Sequence, residues 1–418
     1  MKTKTIRLEY GPVTNKKIST PNHFVSHMLE HIVWRMGCSI VLEWDDVDWR
    51  ALGLAFAFAI RRFAINNREA AALGMIDDGS AEVAVELDAP AGLKLNSTAA
   101  IDTEYFLSLR CEQLQSGSAL VELLGGIAEG LAARITVLVC SLSDPHHTWE
   151  GVFRGLGMAL HDIYAPLQPA MSFSKNEDVG PVQEGIRIVR CSCLTAEIVR
   201  QTAESELQVK IDYNGPVEAS LIYKGTAIDH FENSEALAGL QSLLSIIADA
   251  CGFNLYAVFT SRALSSSHVL MEDTGMVLGR VLREILVRRM ADQGINGAGS
   301  SLRKPSDIVD QTISVGISVE GRNSCLFIPL AASRDQLYRN FIIGHTVFGG
   351  LFSEDLDDFF DGFCWGMGCS LMIHCKGVLQ PEAGWRTLFI NFGIALNQVF
   401  QINTSRKGVP PGVKANLF

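Results

Sequence analysis

Residues 144–160 read Asp144-Pro145-His146-His147-Thr148-Trp149-Glu150-Gly151-Val152-Phe153-Arg154-Gly155-Leu156-Gly157-Met158-Ala159-Leu160. Asp is a favoured helix N-cap and Pro is pre-organised for the first helical position, so a helix begins at Pro145. Trp149, Val152, Phe153, Leu156, Leu160 and Ile163 recur as one apolar stripe, the face such a helix buries. On its first turn His146 and Glu150 stand at i and i+4, and His147 and Glu150 three apart, so the carboxylate can share a face with either imidazole. Adjacent imidazoles on a helix diverge by about 100°, which lets His146 and His147 serve two different metal ions. A solvated helix start carrying two surface histidines is the ordinary alternative.

Downstream, Ser265–Ser267 precede a second helix whose inward stripe is Leu270, Val277, Val281, Ile285 and Leu286. His268 and Glu272 sit at i and i+4 on its first turn, half of a divalent-cation site, and a simple helix pair when taken alone. Alternation in TIRLEY (5–10) and LQVKIDY (207–213) predicts the strands that open two similar parts. Between them, Pro166, Pro169 and Pro181 fall in a mixed polar stretch without sustained period, as expected of a linker. The expected division is 1–164, a linker over 165–190, and 191–418.

The chain has 418 residues, more than one hydrophobic core usually fills. Its composition, 48% hydrophobic and 19% charged, is that of a globular protein. A net charge of −11 argues against nucleic acid and anionic membranes as partners, so any anionic ligand must be met by local basic residues. The most apolar stretch, Ala51–Ile60, ends at Arg61-Arg62 and falls short of the roughly 20 residues of a membrane span. The start MKTKTIRLEYG has neither apolar run nor cleavage site, so no signal peptide is expected. Ten cysteines without zinc-type spacing read as free buried thiols, and a cytoplasmic location is expected.

Groups that could meet an anion are the guanidiniums of Arg62 in Ile60-Arg61-Arg62-Phe63 and Arg322 in Glu320-Gly321-Arg322, and the Ser405 hydroxyl and Lys407 ammonium in the tail Asn403–Pro411. Individually each has a plain reading as a surface residue or a chain end.

In order, these motifs resemble those of the imidazoleglycerol-phosphate dehydratase family, and they do so twice. Residues 1–164 carry SHMLEHI around His27, IRRFA around Arg62, DTEYF at Asp102 and HHTWEGVFRGLGMAL from His146. Residues 198–418 carry RQTAESEL around Arg200, HVLMEDTGMVLG from His268, EGR at Arg322, MIHC at His374 and SRKGV from Ser405. Neither copy is complete. The first has VLEWDDVDWRALGLAF where the family places its upstream paired histidines. The second has Ser242 where the first has His27, Val269 beside His268, and EAGWR at Glu382–Arg386 where the family has its downstream paired histidines. The triplet Asp229-His230-Phe231 is an alternative match, although Cys251-Gly252-Phe253 favours the Ser242 register. The losses are complementary, which points to one composite site drawn from both copies.

The resemblance implies an α+β fold of two tandem dehydratase-like domains, each of paired small mixed sheets covered by helices, assembled into a homo-oligomer. It implies a hydro-lyase of histidine biosynthesis that converts the small phosphorylated imidazole substrate, imidazole glycerol phosphate, to imidazole acetol phosphate. Manganese, or another divalent transition metal, is the implied cofactor, with His146, His147, Glu150, His268, Glu272 and His374 as ligands. Glu204 would move the proton, and His27 would be a ligand or substrate contact. Arg62, Arg322, Ser405 and Lys407 would hold the phosphate. The incomplete motifs leave two alternatives open: a non-catalytic paralogue acting as an assembly or regulatory subunit, and a related lyase with a different phosphorylated substrate.

Overall fold

A computed structural model describes residues 4–166, 168, 178, 182–183, 185–224, 235–262, 267–377 and 379–412. Asp229, His230 and Phe231 therefore lie outside the described residues. One topology recurs along the chain. Strands Glu69–Ile76, Gly79–Glu86, Gly92–Ser97 and Arg134–Val139 form a sheet ordered first, second, fourth, third; the first three neighbours in that order pair antiparallel, while the third and fourth strands run parallel. Ala298–Ser300, Ile313–Ser318, Ser324–Pro329 and Ser370–Cys375 repeat that order and sense. So do Thr195–Gln201, Ser205–Asp212, Glu218–Lys224 and Asn254–Ser261, with Ile186–Cys191 and Val182–Gln183 added at one edge. Lys4–Tyr10, Lys16–Ser19 and Cys38–Trp44 form the same arrangement without its outermost strand.

Each half of the chain stacks helices between two of these sheets. In the first half the helices His23–Met36, Trp49–Ile60, Ser118–Leu131 and Pro145–Tyr164 pack on one another and on the Glu69–Ile76 sheet. The second half does the same with Glu235–Cys251, Ser267–Asp292, Ser353–Met367 and Pro381–Phe400. The inner sheets of the two halves then meet face to face through Ala71, Leu73, Met75, Ala84, Leu302, Ile308 and Met372. Strands in this seam are covered on both faces, so Ile313–Ser318 and Ser370–Cys375 are buried at every residue and lack the usual alternation. Ser205–Asp212, in an outer sheet, alternates strictly between buried and half-buried.

The α+β class expected from the sequence is found as small mixed sheets covered by helices. Two local expectations need correction. Ile186–Cys191, all but its last residue inside the stretch read as linker, is a strand, because its Ile186 and Ile188 are buried in the second half's core and its hydrogen bonds run to Thr195–Gln201. LQVKIDY does not open the second half; it follows three strands of its sheet and pairs with both Thr195–Gln201 and Asn254–Ser261. The stripe from Trp149 to Ile163 is fully buried, as its spacing requires.

Candidate functional site: two helix-pair clusters

The Pro145–Tyr164 helix starts as its sequence dictates, with the Asp144 carboxylate accepting from His146 N at 2.8 Å. The His23–Met36 helix is capped by Asn22, whose side chain accepts from Phe24 N and Val25 N, and it ends at Gly37 with φ of +78°. Their packing brings i,i+4 pairs together. His27 Nε2 lies 2.7 Å and His31 Nε2 3.0 Å from Glu150 Oε1, and His146 Nε2 lies 3.3 Å from that same oxygen. The two Nε2 atoms of His27 and His31 are 3.2 Å apart. His31 and Glu150 are fully buried, whereas His27 and His146 are partly open.

One carboxylate oxygen has two lone pairs and cannot accept well from three imidazoles. His146 Nε2, buried 3.3 Å away, makes no hydrogen bond among the described residues. A tetrahedral ion with bonds of about 2.0–2.1 Å sets its ligand atoms about 3.3 Å apart, close to the separations found here. The donor set therefore fits a divalent transition metal. Burial pushes the His31 imidazole down to about 3, against the pull of Glu150, so it is a neutral ring with a lone pair to give. Burial also acts to lower His27, but its hydrogen bonds to Glu150 and Glu30 outweigh this and raise it. Glu30 is held down to about 2 by His27 and Lys16, despite burial that opposes it. His147 points to the other side, its Nδ1 2.7 Å from Asp78 Oδ1 and its Nε2 3.4 Å from Asp77 Oδ2.

A second cluster lies on the second half's helix pair. His268 Nδ1 is 2.6 Å from Asp358 Oδ2 on the Ser353–Met367 helix, and its Nε2 is 3.5 Å from Glu272 Oε2. Ligand atoms of His268, Asp355 and Asp358 all lie within 4.8 Å of one another. Asp355 is only 7% exposed; it hydrogen-bonds Ser267, while its Oδ2 is buried with no hydrogen-bond partner among the described residues. The Asp358 hydrogen bond raises His268, while burial and the neighbouring Asp361 and Asp358 push Asp357 up to about 7. Glu204 is exposed at the turn before Ser205–Asp212, where its carbonyl accepts from Arg262 N at 2.7 Å.

The other expected site residues fall elsewhere. His374 is fully buried in the seam, with Nδ1 3.0 Å from Glu82 Oε1 and Nε2 3.0 Å from Ser80 Oγ. Lys376 lies 2.7 Å from Glu82 Oε2 and already supplies a cation there. Arg322 pairs with Asp77. Arg62 follows the Trp49–Ile60 helix, exposed, while Ser405 packs near Gly37 and Lys407 is exposed. Among the described residues no hydrogen bond or ion pair joins Arg62, Arg322 and Lys407. Sequence reading passed over His31, whose signal was its i+4 spacing from His27. It also passed over Asp355 and Asp358 in SEDLDDFFD, where a run of acids hides which ones a neighbouring helix meets.

No family model matches the chain. Imidazoleglycerol-phosphate dehydratase of Paraburkholderia phytofirmans is 26% identical over 224 residues, which are 53% of this chain and 98% of that protein. The enzyme of that name from Burkholderia orbicola is 25% identical over the same shares. Among solved structures, imidazoleglycerol-phosphate dehydratase of Pyrococcus furiosus in complex with (S)-C348 is 26% identical, over 41% of this chain and 97% of that one, with a TM-score of 0.32. The Staphylococcus aureus enzyme is 17% identical, over 50% and 99%, with a TM-score of 0.34. Nearly the whole length of such a protein thus aligns within about half of this one, and over that half the chain is a homologue of the imidazoleglycerol-phosphate dehydratase family.

Proposed function

We propose that the chain is a tandem-duplicated, metal-dependent hydro-lyase that dehydrates imidazole glycerol phosphate to imidazole acetol phosphate. The observation that carries this reading is the convergence of His27, His31 and His146 Nε2 on one buried Glu150 oxygen. It is supported by homology over half the chain and by the strand order that recurs in both halves.

The first ligand set is His27, His31, His146 and Glu150, with His147 turned toward Asp77 and Asp78 to serve a separate ion; the second is His268, Glu272, Asp355 and Asp358. Manganese or another divalent transition metal suits such mixed imidazole and carboxylate sets. A divalent ion there would supply Lewis acidity to the substrate's imidazole ring. Glu204, an exposed carboxylate at a turn, carries the proton between the substrate carbon and solvent. Ser405 and Lys407 offer a hydroxyl and an ammonium to the phosphate, with Arg62 as a further cation; Arg322 could join them only by sharing its guanidinium with Asp77. The two sets lie in different halves of the chain, and the composite active site of this reading brings the ion held by the first set beside the ion held by the second, in a homo-oligomer. No described helix is long and apolar enough to cross a membrane, and ten free thiols accord with a cytoplasmic enzyme.

One observation favours the non-catalytic alternative: His374 and Arg322 are engaged inside the chain. Metal content per chain, measured with turnover of imidazole glycerol phosphate, separates the readings. About two ions per chain, reduced by a His146→Ala, His147→Ala double variant and by His268→Ala, together with turnover, would support the dehydratase. Bound metal without turnover favours a lyase acting on another phosphorylated substrate. Folded, inert and metal-free protein leaves the paralogue.

A further inference from the structure

The turn Asp77-Asp78 joins the paired ends Ile76 and Gly79 of an inner-sheet hairpin, with Asp77 at φ of +50°. Both of its carboxylates face His147. Both of its residues are also gripped from the second half of the chain. Arg322 forms an ion pair with Asp77. Asp78 is reached through a buried chain of polar groups: its carbonyl accepts from Ser141 Oγ at 2.7 Å, Ser141 Oγ is 3.0 Å from Ser80 Oγ, and Ser80 Oγ is 3.0 Å from His374 Nε2. His374 Nδ1 then meets Glu82, which Ser314 and Lys376 also engage.

Ser80, His374 and Glu82 stand in the order of a nucleophilic triad, yet all three are completely buried. No substrate reaches a serine between two packed sheets, so nucleophilic chemistry is ruled out and the network can act only on what it holds. A histidine that gives one ring nitrogen to a metal is oriented by what its other nitrogen donates to. Here Nδ1–H donates to Asp78 Oδ1, which leaves Nε2 as the nitrogen open to an ion. Asp77 is the competing group, 3.4 Å from that same Nε2, and Arg322 draws its charge away.

We infer that Arg322 and His374 are positioning residues: acting through the Asp77-Asp78 turn, they orient His147 of the first half for a divalent cation. This rests on the metal-binding reading above. It gives the second half of the chain a task in the first half's site. It also accounts for two polar residues that the ligand and phosphate roles leave over.

The test is Co(II) titration of the full chain, followed by visible absorption, in a His268→Ala background that silences the second cluster. Arg322 is partly exposed, so its variants should remain folded. Arg322→Ala is expected to weaken Co(II) binding by about 10–100-fold and to alter the absorption band, as loss of an outer partner of a ligand does. Arg322→Lys, which keeps the charge, should restore most of both. Ser80→Ala, which cuts the path from His374 to Asp78, should weaken binding in the same direction. If Arg322→Ala binds Co(II) with unchanged affinity and spectrum while His146→Ala, His147→Ala does not, the inference fails and the metal reading stands. Unchanged binding by Ser80→Ala alone removes the His374 part. If the background protein takes up no Co(II), the metal reading fails and this inference with it.

Discussion

Arg154 and Glu320 form an ion pair of 2.6 Å that crosses from one half of the chain to the other, and Arg154 stands one helical turn beyond Glu150. On the facing helix Arg35 stands one turn beyond His31 and binds the same carboxylate at 2.8 Å. The helix pair that carries the histidines therefore continues as a pair of guanidiniums, and Glu320 is the charge that lets them lie together. All three residues are at most 4% exposed. Removing one partner of such a pair leaves uncompensated buried charge and costs about 3–5 kcal/mol. Glu320→Gln should lower stability by that order in urea unfolding. A loss below about 1 kcal/mol, the worth of a surface pair, would mean that the seam does not depend on it.

Glu320 also sets an acid limit. Burial opposes its ionisation, but Arg154 and Arg35 prevail and hold its carboxyl down to about 2, against 4.5 for a free glutamate. Because the folded value is the depressed one, its stabilisation is fully present above pH 4.5 and is lost as pH falls toward 2. The shift corresponds to about 3 kcal/mol. The wild type should lose stability steeply through that window, and Glu320→Gln, already destabilised, should have a shallower slope there. Equal slopes would assign the acid sensitivity to other carboxylates.

The two clusters should differ in metal preference. The first is rich in imidazole and suits Zn²⁺ or Co²⁺, whereas Asp355, Asp358 and Glu272 around a single His268 suit Mn²⁺ or Mg²⁺. Manganese resonance during titration should show a site that Asp358→Asn abolishes, while zinc bound at the first cluster persists. Zinc and manganese competing for one shared set of ligands would contradict this division.

What the sequence made legible was whatever depends on near neighbours. The cap at Asp144, the stripe from Trp149 to Ile163 and the His146–Glu150 spacing are all local, and each is found in place. Which side chains meet across elements far apart in the chain was not legible. His374 reads as a metal-ligand candidate in MIHC, but that it would meet Glu82, 292 positions away, and Cys140 in a buried group of possible ligands could not be read from the chain. All of Ile186–Cys191 but its last residue read as linker because proline marks the stretch before it, while its pairing partner decides that it is a strand. Glu320 stood in plain view in EGR, but its function depends on two arginines from two different helices of the other half.

The Pro145–Tyr164 helix lies against the inner sheet at glycines, and that closeness fixes the depth at which His146 and Glu150 sit. A Cβ added at Gly74 would fall 2.1 Å from Gly151 O and 2.1 Å from Gly155 N, both backbone atoms that no rotamer change can move aside. Gly74→Ala must therefore push the helix off its sheet, and overpacking of this kind costs about 1–3 kcal/mol or more. Gly125, inside the Ser118–Leu131 helix, has nothing within 4 Å of the corresponding position. Gly125→Ala should instead stabilise by about 0.4–1 kcal/mol, chiefly by restricting the unfolded chain. If depth is what the glycines provide, Gly74→Ala should also weaken Co(II) binding at the histidine cluster, because a shifted helix carries His146 and Glu150 away from His27 and His31 on a helix that has not moved. A Gly74→Ala protein that unfolds more easily yet binds Co(II) as the wild type does would show that the first turn of the helix is held independently of the glycine contact, by the Asp144 cap and the His27–Glu150 bond.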